Sequence, residues 1–177
     1  MGNKREYSAE RTRMMVMTAL LAALACIATM VIRIASPTGG YLNLGDVIVL
    51  LAAYLLGPAY SAVAAGVGSA MADVLSGYVA YAPATLVIKA VMALLAGLLY
   101  RRLKERRGGI MIAGILGEIP MVLGYWLYDA WLLHSFVGSA AGIPSNLAQA
   151  VLGAAASTLL TLALRKCAYV RRQFPNL

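Results

Sequence analysis

The sequence predicts an all-α integral membrane protein, a bundle of six transmembrane helices with both termini in the cytoplasm. Hydrophobic residues make up 62% of the 177 residues, and charged residues only 12%. The mean hydropathy is +0.78. A soluble domain usually has about 25% charged residues, which cover its surface. This chain has too few for water, whereas lipid tolerates an apolar surface. A third observation, the placement of the basic residues, gives the orientation.

Gly, Pro, Asn and charged residues divide the chain into six apolar segments. The second segment is shorter than the ~20 residues that a bilayer requires, so it must tilt or the bilayer must thin around it. Residues 35–46 are rich in Gly, Pro and Asn and are expected to form a lid-like loop on the outer side. All of residues 1–177 form one transmembrane domain. The predicted spans are 13–33, 46–57, 60–77, 84–103, 110–133 and 145–165.

Lys and Arg are concentrated in three clusters: near the N-terminus, at residues 101–107, and at residues 165–172. An even number of predicted spans separates each cluster from the next. The positive-inside rule therefore places all three in the cytoplasm. The net charge of +8 is explained by this rule, and no nucleic-acid partner is expected. The expected location is a bacterial cell membrane, with several crossings and direct contact with lipid.

Polar side chains within the spans are costly in hydrocarbon, so each is a functional hypothesis. On the fifth span, Glu118, Tyr125 and Asp129 share one helix face. On the sixth, Asn146 and Gln149 are three residues apart. Such a set of acids, amides and rings suits a small polar or heteroaromatic solute.

Structural roles are the alternative for three of the charged residues. Asp73 and Lys89 either neutralise each other as a buried ion pair or contact a ligand. Asp46 either caps the second helix or belongs to the site.

No motif for catalysis or cofactor binding occurs in the sequence. It has no phosphate-binding loop, no zinc-protease motif and no nucleophile elbow. Cys26 is predicted to lie within the bilayer and Cys167 in the cytosol, so no disulfide is expected, and no residues have the spacing of metal ligands. The prediction is a protein that is not an enzyme and that needs no metal or cofactor.

Four sequence segments, in their order and spacing, resemble the S component of an energy-coupling factor (ECF) vitamin transporter. They follow an Ala-rich first span that contains Ala19 and Ala23. The segments are Tyr-Leu-Asn-Leu-Gly-Asp at 41–46, Leu-Leu-Gly-Pro-Ala-Tyr-Ser-Ala at 55–62, Gly-Ser-Ala-Met-Ala-Asp-Val-Leu-Ser-Gly-Tyr at 68–78, and Tyr-Ala-Pro-Ala-Thr-Leu-Val-Ile-Lys at 81–89.

The resemblance implies a six-helix subunit that binds a vitamin with high affinity from outside. It also implies partners: a coupling transmembrane protein, on which the face with Ala19 and Ala23 docks, and two cytosolic ATPases. The expected substrate is a small heteroaromatic vitamin or precursor that is pyridoxine-, hydroxymethylpyrimidine- or riboflavin-like. From the helix faces, the expected substrate contacts are Asn43, Lys89, Glu118, Tyr125, Asn146 and Gln149.

Three other classes of function are compatible with the composition. A self-sufficient small membrane transporter would carry solute without partners. An intramembrane enzyme would depend on a residue such as His134 or Asp129. A scaffold protein would use the polar set only to hold its helices together.

Overall fold

The computed structural model describes residues 2–174, 176 and 177, with side chains from Tyr7 onward. Within this part the chain forms eight α-helices and two short strands. A 3-10 turn at Ala140–Gly142 joins α6 to α7. The elements are α1 (Gly2–Val31), β1 (Arg33–Ala35), β2 (Tyr41–Asn43), α2 (Gly45–Leu56), α3 (Pro58–Leu75), α4 (Ala82–Leu103), α5 (Gly109–Leu132), α6 (Phe136–Ser139), α7 (Ile143–Arg165) and α8 (Ala168–Gln173).

Four helical segments of the described chain are long and apolar enough to cross a membrane. They are Tyr7–Val31, Ala82–Leu103, Gly109–Leu132 and Phe136–Arg165. At 12 residues, α2 is about 18 Å long at 1.5 Å per residue, which is less than the ~30 Å of a bilayer core. The number of crossings therefore stays a prediction for α2 and α3.

The core is built around α2, whose side chains are buried on almost every side. Leu50 and Tyr54 are inaccessible, and the Tyr54 ring stacks on Tyr100 of α4 at a centroid distance of 4.5 Å. Glycines let the other helices approach closely, as is usual in membranes. A Cβ added at Gly68 of α3 would lie 2.3 Å from the backbone carbonyl oxygen of Ala22 in α1.

The loop between α1 and α2 is a β-hairpin, so the chain is not wholly helical as the sequence analysis expected. β1 and β2 pair antiparallel, with Arg33 opposite Asn43 and Ala35 opposite Tyr41. The turn closes with hydrogen bonds between Ser36 and Gly40 and between Gly39 and Ser36. Gly39 has φ +94°, a conformation that glycine adopts without strain. The hairpin places backbone and side-chain groups of residues 36–43 over one end of the helix bundle.

Candidate functional site

A small cavity lies beneath the hairpin, between the ends of five helices. Its volume is about 30 Å³, far below the roughly 300–1,000 Å³ of ligand pockets, so a vitamin does not fit in this conformation. Helices α1, α3, α4, α5 and α7 each supply at least one wall residue. The lining residues are Thr29, Ser36, Thr38, Gly40, Tyr41, Asn43, Ser69, Asp73, Tyr81, Thr85, Lys89, Tyr125, Asp129, Asn146 and Gln149.

A buried chain of polar contacts forms one side of the site. The Lys89 ammonium forms an ion pair with Oδ1 of Asp46, and their side chains are 3% and 1% exposed. The Gln149 amide Nε2 donates to Asp46 Oδ2 at 2.5 Å, and its Oε1 accepts from the Asn43 backbone N–H at 2.7 Å. This chain joins α4, α2 and α7 to the hairpin. Because an unpaired buried charge is costly, the ion pair fixes the position of all four residues.

Two structural interpretations from the sequence are wrong. Lys89 pairs with Asp46 and not with Asp73, whose Oδ1 instead accepts a hydrogen bond from the Tyr41 hydroxyl at 2.6 Å. Asp46 does not cap α2, because Leu44 occupies the N-cap position and Asp46 lies within the first turn. Sequence spacing could not show which acid faces Lys89, since that depends on the rotation of α2 and α3 about their axes.

An aromatic ring borders the cavity on α5. The Tyr125 ring lies 5.6 Å from the Lys89 ammonium, measured to the ring centroid, within the range of a cation–π contact. Its hydroxyl is 2.9 Å from Thr85 Oγ1 on α4. The ring is thus held at both its edge and its face, and it offers a flat apolar surface to a bound ring.

The hairpin is held closed by contacts to three other elements. Tyr41 bonds Asp73 of α3, as described above. Ser36 Oγ lies 3.1 Å from Ser145 Oγ of α7. The Tyr81 hydroxyl donates to Asp129 Oδ1 at 2.9 Å and lies 3.2 Å from the Thr38 carbonyl oxygen.

Burial raises the pKa of the Tyr41 and Tyr81 phenols, and the hydrogen bonds to Asp73 and Asp129 raise it further. Both hydroxyls are therefore permanent donors near neutral pH.

Comparison with known proteins assigns the family. The profile described as ECF-type riboflavin transporter, S component, matches residues 10–166. The chain belongs to this family.

This S component is also similar to one protein by sequence and to one solved structure by fold. An uncharacterized protein in a gap 3'region of Pyrococcus woesei is 41% identical over 128 residues, which are 72% of this chain and 84% of the relative. The solved structure of the S component of a bacterial ECF transporter has the same fold. Its TM-score is 0.64 at 21% identity, over 88% of this chain and 97% of that chain. The family and this structural neighbour are transporter components, not enzymes.

Five of the six predicted substrate contacts of the S component come together at the cavity. They are Asn43, Lys89, Tyr125, Asn146 and Gln149.

The structure places the sixth, Glu118, elsewhere. Its carboxylate is 1% exposed and lies beside an apolar groove between α5 and α7 that also contains Ile119 and Leu147. Among the described residues neither carboxylate oxygen has a hydrogen-bond partner. Oε1 would lie 2.8 Å from a Cβ added at Gly153.

Sequence reasoning did not assign Thr29, Ser69 or Thr85 to the site, although all three line the cavity. Two of them carry a signal that could have been read. Ser69 precedes Asp73 by four residues and Thr85 precedes Lys89 by four, so each shares a helix face with a candidate. Thr29 lies on α1, beyond Ala19 and Ala23. It shares a helix face with no candidate residue, so nothing in the sequence distinguishes it.

The predicted docking residues of the S component lie on its surface. Ala19 and Ala23 are both exposed on α1. Neighbouring Val16, Leu20 and Ile27 are 53%, 56% and 56% exposed, so an apolar strip runs along this side of the helix. Ala22 and Ala25, on the other side, are more deeply buried.

Proposed function

We propose that this S component binds riboflavin, or a heteroaromatic vitamin of similar shape, in the cavity beneath the hairpin. The observation that carries the proposal is this cavity, in which five of the six predicted contacts meet beneath the hairpin. The Tyr125 ring suits a flat heterocycle, and the amide of Asn146 suits its polar edge. The matching family is described as riboflavin transporters, which favours riboflavin over pyridoxine or hydroxymethylpyrimidine.

Binding requires the hairpin to open, because about 30 Å³ holds no vitamin. Tyr41, Ser36 and Asn43 must then release their contacts on the helices and re-form them over the ligand. In this proposal six spans cross the cell membrane and both termini are cytoplasmic, so the hairpin faces outward. The closed, loaded subunit docks through Ala19 and Ala23 on a coupling transmembrane protein, and two cytosolic ATPases drive release inside.

Substrate identity can be tested on the purified protein. The chain is purified in mild detergent and denatured, and any released small molecule is identified by mass spectrometry. Riboflavin, pyridoxine and hydroxymethylpyrimidine are then titrated against protein freed of ligand, with flavin fluorescence as the readout for riboflavin and calorimetry for all three. Stoichiometric riboflavin binding is expected. Binding of one of the other two in its place would reassign the substrate, and binding of none would contradict the proposal.

Asn146 gives the sharpest test of the site itself. It lines the cavity and makes no side-chain hydrogen bond to another described residue, so Asn146→Ala should leave the fold unchanged. Loss of one polar contact should weaken ligand affinity about tenfold. Leu147→Ala is the matched control, because Leu147 follows directly but is 49% exposed in the groove between α5 and α7. Equal affinities of the two variants would place the ligand elsewhere.

Docking is tested separately from binding. Ala19→Trp adds bulk to the proposed docking strip, and Leu159→Trp adds an aromatic at a position of α7 that is 69% exposed. Ala19→Trp should bind ligand like the wild type and abolish uptake into vesicles that contain the complete ECF module, while Leu159→Trp transports. Uptake by vesicles that contain this chain alone would instead support a self-sufficient transporter.

A further inference from the structure

We infer that Thr29, Ser69 and Asp73 form a second subsite in the cavity, which binds hydroxyl groups on the side chain of the ligand. We call these three residues the α1–α3 wall. The inference rests on the proposed function and deepens it, because it assigns a part of the ligand to a part of the cavity. Thr29 and Ser69 were not among the candidates from the sequence, and Asp73 was considered there either as the partner of Lys89 in an ion pair or as a ligand contact.

The α1–α3 wall contains buried polar atoms without partners. Thr29, Ser69 and Asp73 are 3%, 2% and 4% exposed, and all three line the cavity. Thr29 Oγ1, Ser69 Oγ and Asp73 Oδ2 accept or donate no hydrogen bond within the part of the chain that the structure describes. Buried polar atoms are normally paired, and a group of three on one wall calls for an explanation. A ligand that reaches this wall would pair them.

Most polar groups on the opposite side of the cavity already have a hydrogen-bond or ion-pair partner. The Lys89 ammonium and the Gln149 amide are taken up by Asp46, and the Tyr125 hydroxyl lies next to Thr85 Oγ1. That side therefore offers a ligand mainly the Tyr125 ring and the side-chain amide of Asn146. The two walls differ in chemistry, and they suit a ligand with a flat ring at one end and a hydrogen-bonding chain at the other.

The unpaired atoms select hydroxyl groups in particular. An ionised carboxylate only accepts hydrogen bonds, so Asp73 Oδ2 needs a donor. Serine and threonine hydroxyls both donate and accept, as ligand hydroxyls do. Ser69 and Asp73 are four residues apart on one face of α3, which sets their Cβ atoms about 6 Å apart. A short polyhydroxylated chain spans this distance, whereas an anionic group would be repelled by Asp73.

A comparison of two flavins isolates the hydroxyl groups. Riboflavin and lumiflavin share the ring system, but lumiflavin has a methyl group in place of the hydroxylated chain. Both are titrated against the wild type, Ser69→Ala and Asp73→Asn by flavin fluorescence. Asp73→Asn keeps an oxygen that can accept the Tyr41 hydrogen bond, so closure of the hairpin is preserved. Ser61→Ala is the matched control, since Ser61 is on the same helix and equally buried but bonds the Pro58 carbonyl outside the cavity.

The expected result is a loss of affinity for riboflavin but not for lumiflavin. Ser69→Ala should weaken riboflavin about 3- to 10-fold, and Asp73→Asn about 10- to 100-fold because a bond to a charged group is lost. Lumiflavin affinity should change less than about twofold in both variants, and Ser61→Ala should leave both flavins unchanged.

Equal losses for the two flavins would overturn the subsite, and so would a wild type that binds both equally well. A wild type that binds neither flavin would exclude riboflavin as the substrate, and the subsite would fall with it. The two failures are thus distinguishable.

Discussion

Replacing Lys89 by methionine should destabilise the protein strongly. The change leaves the Asp46 carboxylate, 1% exposed, without its counter-charge. Breaking a buried ion pair by removing one partner costs about 3–5 kcal/mol. In a chain of this length 1 kcal/mol shifts the unfolding midpoint by about 2–4 °C, so a decrease of roughly 6–20 °C is expected. Thermal unfolding in detergent, followed by tryptophan fluorescence, measures the shift.

The double variant Lys89→Met, Asp46→Asn supplies the control. It removes both charges, while the amide introduced in place of the Asp46 carboxylate keeps an oxygen that can accept from Gln149. Since neither member of the Lys89–Asp46 pair then leaves an unpaired charge behind, most of the lost stability should return. A Lys89→Met protein that melts within about 2 °C of the wild type would refute the reasoning. So would a double variant as unstable as the single one, because the penalty would then not arise from the orphaned carboxylate.

Three further predictions concern other parts of the molecule. Gly68→Ala should lower the unfolding midpoint, because its Cβ would lie 2.3 Å from a backbone carbonyl oxygen of α1. Such overpacking costs about 1–3 kcal/mol. An unchanged midpoint would mean that α1 and α3 separate easily. Tyr41→Phe removes the 2.6 Å bond to Asp73 and should speed ligand dissociation about tenfold or more in stopped-flow experiments. Tyr78→Phe, on the neighbouring ring, is its control and should leave the rate unchanged. Glu118→Gln should keep ligand affinity within about threefold and should not lower the midpoint, because the carboxylate lies outside the cavity and bonds nothing among the described residues; a tenfold loss in calorimetry would show that Glu118 reaches the ligand.

The helices could be predicted from the sequence because a membrane helix requires a long run of apolar residues. Gly57 separates α2 from α3, which begins at Pro58. The basic residues 101–107 overlap the end of the predicted fourth span 84–103, and α4 ends at Leu103. These signals are local, and each depends on a residue type that ends a helix or cannot enter lipid.

The hairpin was missed for a local reason too. Pro37, Gly39 and Gly40 were interpreted only as helix breakers, although they also form the turn between two strands.

Contacts between helices were less accessible, because sequence gives the face of each helix but not its rotation in the bundle. Tyr125 and Lys89 were both predicted as substrate contacts from their residue types and their depth in the membrane, but the sequence did not predict that the two are neighbours. Glu118 is on the same helix as Tyr125, seven residues earlier, yet it does not line the cavity and lies beside Gly153 of α7. Two residues that share a face can thus face different neighbours when they lie at different depths.

The small volume beneath the hairpin has a kinetic consequence. A ligand that does not fit in about 30 Å³ can bind only after Tyr41, Ser36 and Asn43 have broken their contacts with the helices, whatever the ligand concentration. The association rate should therefore stop rising at high vitamin concentration and level off at the opening rate of the hairpin. The plateau rate should be the same for every ligand that the protein binds, since it is set by the opening of the hairpin and not by the ligand. At trace vitamin concentrations the uptake rate would not be reduced, because the encounter between vitamin and protein is then slower than the opening of the hairpin.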